Sequence, residues 1–418
     1  MTDCTILRDL FDHAVQVADP MRFIAPNLPE RPKGRLLVVG AGKASARMAE
    51  AVEAEWGPCE GLVITRYGYG RPTRGIEIVE AAHPVPDQSG VVATARLLAM
   101  LKGLDGNDLV LVLISGGASA LLCAPVGQMT LEDKQTVNAE LLASGAPIRQ
   151  MNILRKHLSG IKGGQLAAAA APAKVVTLMI SDVPGDDPAM IGSGPTVGDA
   201  SDVRDAMDIV SRWGIALPES AHAVLSGVSG VIAPDDPRLA RTENRIVAAP
   251  VQSLAAAADL ARERGLANII LGDDLAGEAR EVAVGHAMLA LKIQAEMKPG
   301  DPPLVIMSGG ELTVTRSGDG IGGPNAEYAL ALAMALNGAP GIHAIACDTD
   351  GIDGAADIAG AIIGPDTLFR AAQAGLDMRQ ALARNDAHSF FAALGDQVVT
   401  GPTLTNINDF RAILIHPE

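Results

Sequence analysis

Apolar runs typical of strands alternate with amphipathic helical segments along most of this chain, and this alternation restricts the fold more than any other feature. In the first half, "GRLLVVGAG" and "DLVLVLISGG" are strand-like runs, and "KASARMAEAVEAEWG" is helix-like. Apolar runs without polar alternation are typical of strands covered on both faces. The sequence therefore predicts an α/β fold with a doubly wound, mostly parallel sheet and helices on both sides.

A region with several turn signals, residues 195–245, interrupts the alternation, which then resumes in "RIVAAPVQSLAAAADLARERG" and "PPLVIMSGGELTV". The length of 418 residues suits two or three domains of roughly 100–200 residues each. We place a domain boundary near residue 236, which predicts α/β domains over 1–236 and 237–418.

The composition excludes several classes of protein. A net charge of −16 and only 3% aromatic residues argue against a general nucleic-acid binder or a protein of anionic membranes. None of the four cysteines lies in a C-x-x-C pair, which fits a reducing compartment. The chain has no apolar run of about 18 residues, the length that spans a membrane. We expect a cytoplasmic protein.

Two apolar strands end in the same three small residues, Ser115-Gly116-Gly117 and Ser308-Gly309-Gly310. Glycine pairs leave backbone N–H groups unshielded, and such turns can form nests around an anionic oxygen. Close packing of a sheet against a helix is the alternative explanation. Because one such turn lies in each half, we predict that both face a shared cleft between the domains, with Ser119 and Glu311 nearby.

The stretch "VVGAGKAS" places Gly40, Gly42 and Lys43 between a strand and a helix. A helix N-terminus favours phosphate, and a lysine there adds a positive charge. The stretch is not a Walker A loop, because Leu37 stands at the first glycine position, and Ser45 replaces the third glycine of a dinucleotide fingerprint. A glycine turn with a solvated lysine is the alternative.

A basic segment follows, in which Asn152, Arg155, Ser159 and Lys162 share one predicted helical face. Ile148, Met151, Leu154, Leu158 and Ile161 mark the buried face of the same predicted helix. No acidic residue occurs between Ser144 and Ile180. A small carboxylate or phosphate ligand would explain this local reversal of charge, and an exposed basic helix is the alternative.

Aspartates follow two predicted strands. Asp182 comes directly after "AKVVTLMIS", and Asp348, Asp350 and Asp353 follow "GIHAIAC". Carboxylates in such positions can hold Mg²⁺ or accept a proton from a substrate. Asp beside Gly and Pro also commonly serves a turn, so both roles stay open.

Together these stretches resemble the glycerate 2-kinase family, whose members contain a MOFRL domain. The resemblance rests on "GAGKAS", "AAHPVPD", "LISGGASALL", "NILRKHLSGIKGGQLA", "ISDVPGDDPAMIGSGPT", "SGGELTVT", "GGPNAEYALALA", "DTDGIDG" and "GPTLTNINDF", in the family's order. It implies phosphorylation of D-glycerate at the 2-hydroxyl with ATP and Mg²⁺. It also implies a Rossmann-like N-terminal domain and a smaller C-terminal MOFRL domain, with the active site in the cleft between them.

The resemblance assigns Lys43 as the catalytic lysine. Some members have an arginine just before the asparagine of "GGPN", where this chain has Pro324. We therefore expect Arg155 or Lys162 to supply the missing charge, Asp182 to serve as base or metal ligand, and Arg155 with Ser159 to bind the glycerate carboxylate.

The remaining expectations concern binding residues and partners. Substrate-binding candidates are Ser115, Gly116, Gly117, Ser119, Asn152, Ser159 and Lys162. Nucleotide-binding candidates are Gly40, Gly42, Ser308, Gly309, Gly310, Glu311, Gly322, Gly323 and Asn325. Metal candidates are Asp182, Asp348 and Asp350. The expected partners are glycerate and ATP, without nucleic acid or membrane, in a monomer or homodimer.

Two other functions compete with the kinase. Members of the family have also been labelled hydroxypyruvate reductases. An NAD(P)H-dependent reductase would place Arg66 at a 2′-phosphate, and the missing third glycine weakens this alternative. A non-catalytic binder of small acids would bind glycerate without forming ADP.

Overall fold

The computed structural model describes residues 2–354 and 356–418. Its strands are β1 Leu36–Ala41, β2 Glu60–Arg66, β3 Ile76–Ala81, β4 Leu109–Ile114, β5 Lys174–Ile180, β6 Thr242–Ala248, β7 Ala267–Ile270, β8 Leu275–Glu278, β9 Leu304–Ser308, β10 Gly310–Thr313, β11 Ile342–Asp348, β12 Gly360–Ile363, β13 Gln397–Val398 and β14 Asp409–Ile415.

Its helices are α1 Asp3–Val17, α2 Pro20–Asn27, α3 Ser45–Trp56, α4 Gln88–Met100, α5 Ala118–Leu121, α6 Leu131–Ser144, α7 Ile148–His157, α8 Gln165–Ala170, α9 Val203–Trp213, α10 Glu219–Leu225, α11 Pro250–Glu263, α12 Ala279–Glu296, α13 Pro324–Leu336, α14 Thr367–Gln373, α15 Met378–Ala383 and α16 Ala387–Leu394. Short 3₁₀ turns cover Pro184–Asp186, Ile191–Ser193 and Pro237–Leu239. Every helix in this part of the chain is too short or too polar to cross a membrane.

The chain divides into two compact units. The Rossmann-like unit comprises Pro20–Ala248, and the mixed-sheet unit comprises Ala249–Glu418 with the segment that ends at Asp19. The division lies beyond the boundary expected near residue 236, because β6 pairs with β5 and extends the first sheet to Ala248. The N-terminal helix α1 joins the mixed-sheet unit because Leu7, Leu10 and Phe11 are buried in its core.

The sheet of the Rossmann-like unit has six parallel strands in the order β3-β2-β1-β4-β5-β6. All six residues of β4 are buried, as the unbroken apolar run predicts. The predicted α/β class with a Rossmann-like parallel sheet is therefore confirmed. Because the strands are parallel, the turns that follow β1, β4 and β5 lie along one edge of the sheet, where open α/β folds bind ligands.

The larger sheet of the mixed-sheet unit has the order β13-β12-β11-β14-β9-β7. Its pairs are antiparallel except β7 with β9, and a separate two-stranded parallel sheet joins β8 to β10. The chain's last strand, β14, lies between β9 and β11 and runs opposite to both. Sequence patterning predicted β9 and β11 but neither β12 and β13 nor the direction of the strands, because buried strands are apolar in either orientation.

Candidate active site

The turn after β1 lies against the turn after β4. Gly42 has φ +144°, and a Cβ there would lie 2.0 Å from the Oγ of Ser115. A Cβ on Gly40 would lie 2.1 Å from the carbonyl oxygen of Leu113. The N–H of Lys43 donates to the carbonyl of Gly116 at 2.8 Å. Both glycines are therefore explained by close strand and turn packing, which fixes Lys43 beside the Ser-Gly-Gly turn.

Ser115 holds these two turns together. Its buried Oγ accepts from the N–H of Ala44 at 3.0 Å and lies 3.1 Å from the Oγ of Ser45. Ser45 also donates to the carbonyl of Leu113 at 3.1 Å. The hydroxyl of Ser115 is thus engaged within the protein, and this geometry favours a positioning role over direct contact with a substrate.

Gly117 marks the point where Lys43 meets a pocket. It has φ +84°, and a Cβ on it would lie 3.0 Å from Cδ2 of His83 and 3.4 Å from Cγ of Lys43. The side chains of Lys43 and His83 therefore pass directly over Gly117. A residue with a side chain is disfavoured here, because the backbone is left-handed and two side chains occupy the space above it.

A pocket of about 640 Å³ opens beside this turn in the Rossmann-like unit. Its lining includes four of the predicted site residues, Gly117, Ser119, Arg155 and Lys162. It also includes polar residues that the sequence did not identify as ligand-binding, namely His83, Lys134 and Asn138. The structure thus brings the Ser-Gly-Gly turn and the basic segment to one cavity.

Hydrogen bonds connect the polar side chains of this pocket. Arg155 donates from Nε to Oδ1 of Asn138 at 3.1 Å and from Nη1 to Oδ1 of Asn152 at 3.3 Å. Ser193 donates to the same oxygen of Asn152 at 3.3 Å, and its Oγ lies 2.8 Å from that of Ser119. This chain of contacts fixes the orientation of Arg155.

Two lysines lie in the wall of the pocket. Lys162 is buried and donates from Nζ to the carbonyl of Leu122 at 2.7 Å, and Lys134 donates to the carbonyl of Leu158 at 2.6 Å. Burial lowers the pKa of Lys162 to about 7 and that of Lys134 to about 8. Burial also lowers the pKa of Arg155. The hydrogen bonds of all three go to uncharged oxygens, so an anion in the pocket would favour their charged forms.

The predicted basic helical face requires a correction. Helix α7 ends at His157, so Ser159 and Lys162 lie in the segment that follows. Ser159 lines a different cavity, of about 430 Å³, and its Oγ accepts from the N–H of Ile161. The predicted buried face also starts later than expected, because Ile148 is half exposed whereas Leu154 is fully buried.

The loop after β5 completes this edge of the sheet. Strand β5 ends at Ile180, one residue earlier than predicted, so Ser181 separates it from Asp182, which is partly buried. Asp187 accepts from the N–H of Ala189 at 3.0 Å and so serves the turn. A Cβ on Gly192 would lie 3.0 Å from Cβ of Ala118, so this loop packs against α5 and places Ser193 beside Ser119.

The second Ser-Gly-Gly turn lies in a different environment within the mixed-sheet unit. The N–H of Gly309 donates to the carbonyl of Gly272 at 2.9 Å, and Gly310 begins β10, opposite Leu275 of β8. Glu311 is exposed on β10. The expected amide nest therefore does not include the N–H of Gly309, which the backbone already engages.

A buried polar network lies beneath this turn. Arg411 donates to Oδ2 of Asp409 at 2.8 Å, to the carbonyl of Gly309 and to the Oγ of Ser308 at 3.4 Å. Asn325 donates from Nδ2 to Oδ1 of Asp409 at 2.6 Å. Burial raises the pKa of Asp409. The sequence analysis identified neither Arg411 nor Asp409.

The segment around Pro324 is explained largely by packing. Pro324 begins α13, and Asp353 accepts from the N–H groups of Asn325 at 2.9 Å and Ala326 at 2.8 Å. A Cβ on Gly323 would lie 2.4 Å from Cγ of Asp353, and one on Gly322 would lie 2.7 Å from the carbonyl oxygen of Asn385. These glycines let α13 approach its neighbours closely.

The aspartates after β11 take part in turns. Oδ1 of Asp348 accepts from the N–H of Asp350 at 2.9 Å, and Oδ1 of Asp350 accepts from the N–H of Ile352 at 2.8 Å. Over residues 2–354 and 356–418, no three acidic, histidine or cysteine side chains form a metal-binding group. These hydrogen bonds support the turn role of Asp348 and Asp350.

Comparisons with known proteins agree with this architecture. The family described as "Domain of unknown function (DUF4147)" matches residues 6–226, and the MOFRL family matches residues 304–409. A relative from Agrobacterium vitis, named "Putative hydroxypyruvate reductase", is 55% identical over 98% of this chain and 94% of its own. The D-glycerate 2-kinase of Thermotoga maritima is 36% identical over 97% of each chain. A crystal structure of glycerate kinase from that organism matches with a TM-score of 0.88 at 35% identity, over 99% of both chains.

Proposed function

The chain belongs to the glycerate kinase family that combines a DUF4147 domain with a MOFRL domain, and we propose that it transfers a phosphoryl group from ATP to the 2-hydroxyl of D-glycerate, giving 2-phospho-D-glycerate. The observation that carries this proposal is the close approach of Lys43 to Gly117, a residue that lines the same cavity as Lys134, Arg155 and Lys162. This arrangement places positive charge beside a pocket suited to a small acid.

The pocket supplies the groups that an acceptor acid needs. Arg155, oriented by Asn138 and Asn152, can bind a carboxylate, as can Lys162. Charge-assisted hydrogen bonds of this kind are about twice as strong as neutral ones. Ser119 lines the same pocket and can hydrogen-bond a hydroxyl group of the acid. Ser159, which lines another cavity, no longer has this role in the proposal.

Phosphoryl transfer requires little covalent chemistry from the protein, because in-line positioning and positive charge around the moving group supply most of the catalysis. Lys43 is the proposed source of that charge. Its N–H is anchored to Gly116, so its side chain starts from a fixed point beside the pocket. Asp182, on the same sheet edge, is proposed to accept the hydroxyl proton of the acid.

Mg²⁺ fits the carboxylates of this chain in the manner usual for kinases. Enzymes of this class hold Mg²⁺ with one or two carboxylates and with substrate phosphates, rather than with a complete protein cage. Asp182 is the proposed ligand in the Rossmann-like unit, as the alternative to its role as base. When bound, Mg²⁺ neutralises charge on the phosphates of ATP.

Asn325 stays a proposed nucleotide-binding residue. Its Oδ1 has no hydrogen-bond partner, and its side chain is fully buried. Such orphaned acceptors are costly, so this one is open to a nucleotide donor only where that donor replaces part of the surrounding packing.

The decisive assay measures ADP release in a coupled reaction with D-glycerate, L-glycerate, hydroxypyruvate and tartronate as acceptors. We expect D-glycerate to give the highest kcat/KM, and phosphorus NMR of the product to show a phosphate on carbon 2. ADP release that does not depend on any of these acids would contradict the proposal.

A second candidate function is NAD(P)H-dependent reduction of hydroxypyruvate, because the relatives that are 55% and 50% identical carry that name. The turn after β1 argues against it. Ser45, in place of the third glycine of a dinucleotide fingerprint, is buried and hydrogen-bonded across to β4. Absorbance at the nicotinamide band with hydroxypyruvate tests this function directly, and stable NADH and NADPH would remove it.

A further inference from the structure

Lys134 occupies a position that no sequence motif marks. Helix α6 begins with a capping box in which Thr130 and Asp133 bond reciprocally, and this fixes Lys134 one turn into the helix. Its Nζ donates to the carbonyl of Leu158, the residue that caps α7. Lys134 and Arg155 are therefore brought to the same wall of the pocket from two different helices.

The charges around Lys134 are not balanced within the pocket. Its pKa, like that of Lys162, is lowered by burial and by the neighbouring cations. Cys123 lines the same pocket, and burial raises the pKa of its thiol, which keeps it neutral. The nearby carboxylate of Asp87 is engaged by Tyr67 and by the N–H of Gly90. His83 also lines the pocket.

Clustered cations in a buried site repel one another and are costly to desolvate, so such clusters point to an anionic ligand. We propose that Lys134 joins Arg155 and Lys162 in a three-cation site that binds the carboxylate of the acceptor acid, which makes Lys134 a further substrate-binding residue. The identity of the acid rests on the proposed function. The site itself rests on the geometry of the pocket.

The test compares Lys134→Met with Lys134→Arg and with the exposed control Lys102→Met. Loss of a charge-assisted hydrogen bond should raise the KM for D-glycerate by roughly 10- to 100-fold in Lys134→Met. The KM for ATP should stay within about twofold. Lys134→Arg should recover most of the affinity because it keeps the charge, and Lys102→Met should match the wild type.

Two outcomes would overturn the assignment. In the first, Lys134→Met leaves the KM for glycerate unchanged. In the second, the KM for ATP rises while the KM for glycerate does not. That result would mean that the site binds the phosphates of the nucleotide instead. If thermal denaturation shows that Lys134→Met fails to fold, glycerate binding by the wild-type protein tests the assignment instead.

For the wild type, calorimetry measures D-glycerate binding at pH 8 in two buffers of different ionisation enthalpy. Anion binding to this site should draw protons from the buffer, since both lysines gain charge. Zero proton uptake would contradict the site. Inorganic phosphate and ATP without metal serve as parallel probes. Proton uptake on glycerate binding without any ADP release would support the three-cation site and contradict the kinase activity. Failure of the site and failure of the kinase proposal are therefore distinguishable.

Discussion

The two Ser-Gly-Gly turns have the same sequence and opposite surroundings. The first, at 115–117, opens onto a pocket lined by cations, and its Gly117 lies under the side chains of Lys43 and His83. The second, at 308–310, is engaged by backbone partners on β8 and by Arg411 beneath it. The first turn therefore borders a cavity lined by cationic side chains, whereas the second turn is hydrogen-bonded to other residues of the mixed-sheet unit.

This difference shows what the shared tripeptide specifies. Small residues permit close approach of other atoms, but they do not determine whether the approaching group is a ligand or another part of the protein. At Gly117 of the first turn the nearest groups are side chains of His83 and Lys43, and at Gly310 of the second they are backbone atoms of Leu275. The two turns should therefore respond differently to the same change.

The largest expected effect is on stability at the second turn. Arg411→Met leaves the carboxylate of Asp409 buried without its cation, which should cost about 3–5 kcal/mol. Hydrogen exchange measured by mass spectrometry on peptides of β9 and β14 reports this loss. The exposed Arg379→Met is the control.

Tryptophan fluorescence gives an internal reference for that experiment. Trp56 and Trp213 are the chain's two tryptophans, and both lie in the Rossmann-like unit. Their signal in Arg411→Met should match the wild type under conditions where the mixed-sheet unit has lost protection. Unchanged hydrogen exchange in β9 and β14 would contradict the expected contribution of Arg411 to the stability of the mixed-sheet unit.

A matched pair of glycine substitutions compares the turns directly. In Gly310→Ala the new Cβ would lie 2.2 Å from the carbonyl oxygen of Leu275, so β8 and β10 must separate at a cost of about 1–3 kcal/mol. In Gly117→Ala the Cβ meets the side chains of His83 and Lys43. The stability loss should be about 1–2 kcal/mol, but displacing Lys43 should lower kcat about tenfold or more. Equal losses of activity in both variants would contradict the proposed functional difference between the two turns.

The smallest effect concerns pH. Lys134 and Lys162, with pKa values of about 8 and about 7, bind an anion in their protonated forms. Affinity for glycerate should be complete below about pH 6 and should weaken as pH rises through both values, because deprotonation removes the attraction. The dissociation constant should rise at least about tenfold from pH 7 to pH 9. A flat profile from calorimetry would contradict cationic recognition at this pocket.

Much of the fold could be predicted from local signals. The burial of β4 follows from its unbroken apolar run, and the structure confirms it. The caps of α6, Thr130 and Gly145, are local signals of the same kind. Strand direction in the mixed-sheet unit was not predictable, because it depends on where β14 inserts. That insertion places Arg411 opposite Ser308, a pairing of residues far apart in the chain.

The residues of the candidate site were likewise only partly predictable from the sequence. Lys43, Arg155 and Lys162 could be identified because they stand beside glycines or in a segment without acids. Lys134 follows Glu132 and Asp133 on an ordinary charged helix, and only tertiary packing carries it to the pocket. Ser159 was misplaced because the helical period was extended beyond the true end of α7.

The central claim is that the first turn, with Lys43, is the place of phosphoryl transfer. Steady-state ADP release by Lys43→Ala, beside the exposed control Lys102→Ala, tests it most directly. The account predicts that kcat with D-glycerate falls at least about 10²-fold in a protein whose thermal midpoint matches the wild type. A folded Lys43→Ala enzyme with near-normal kcat would contradict it.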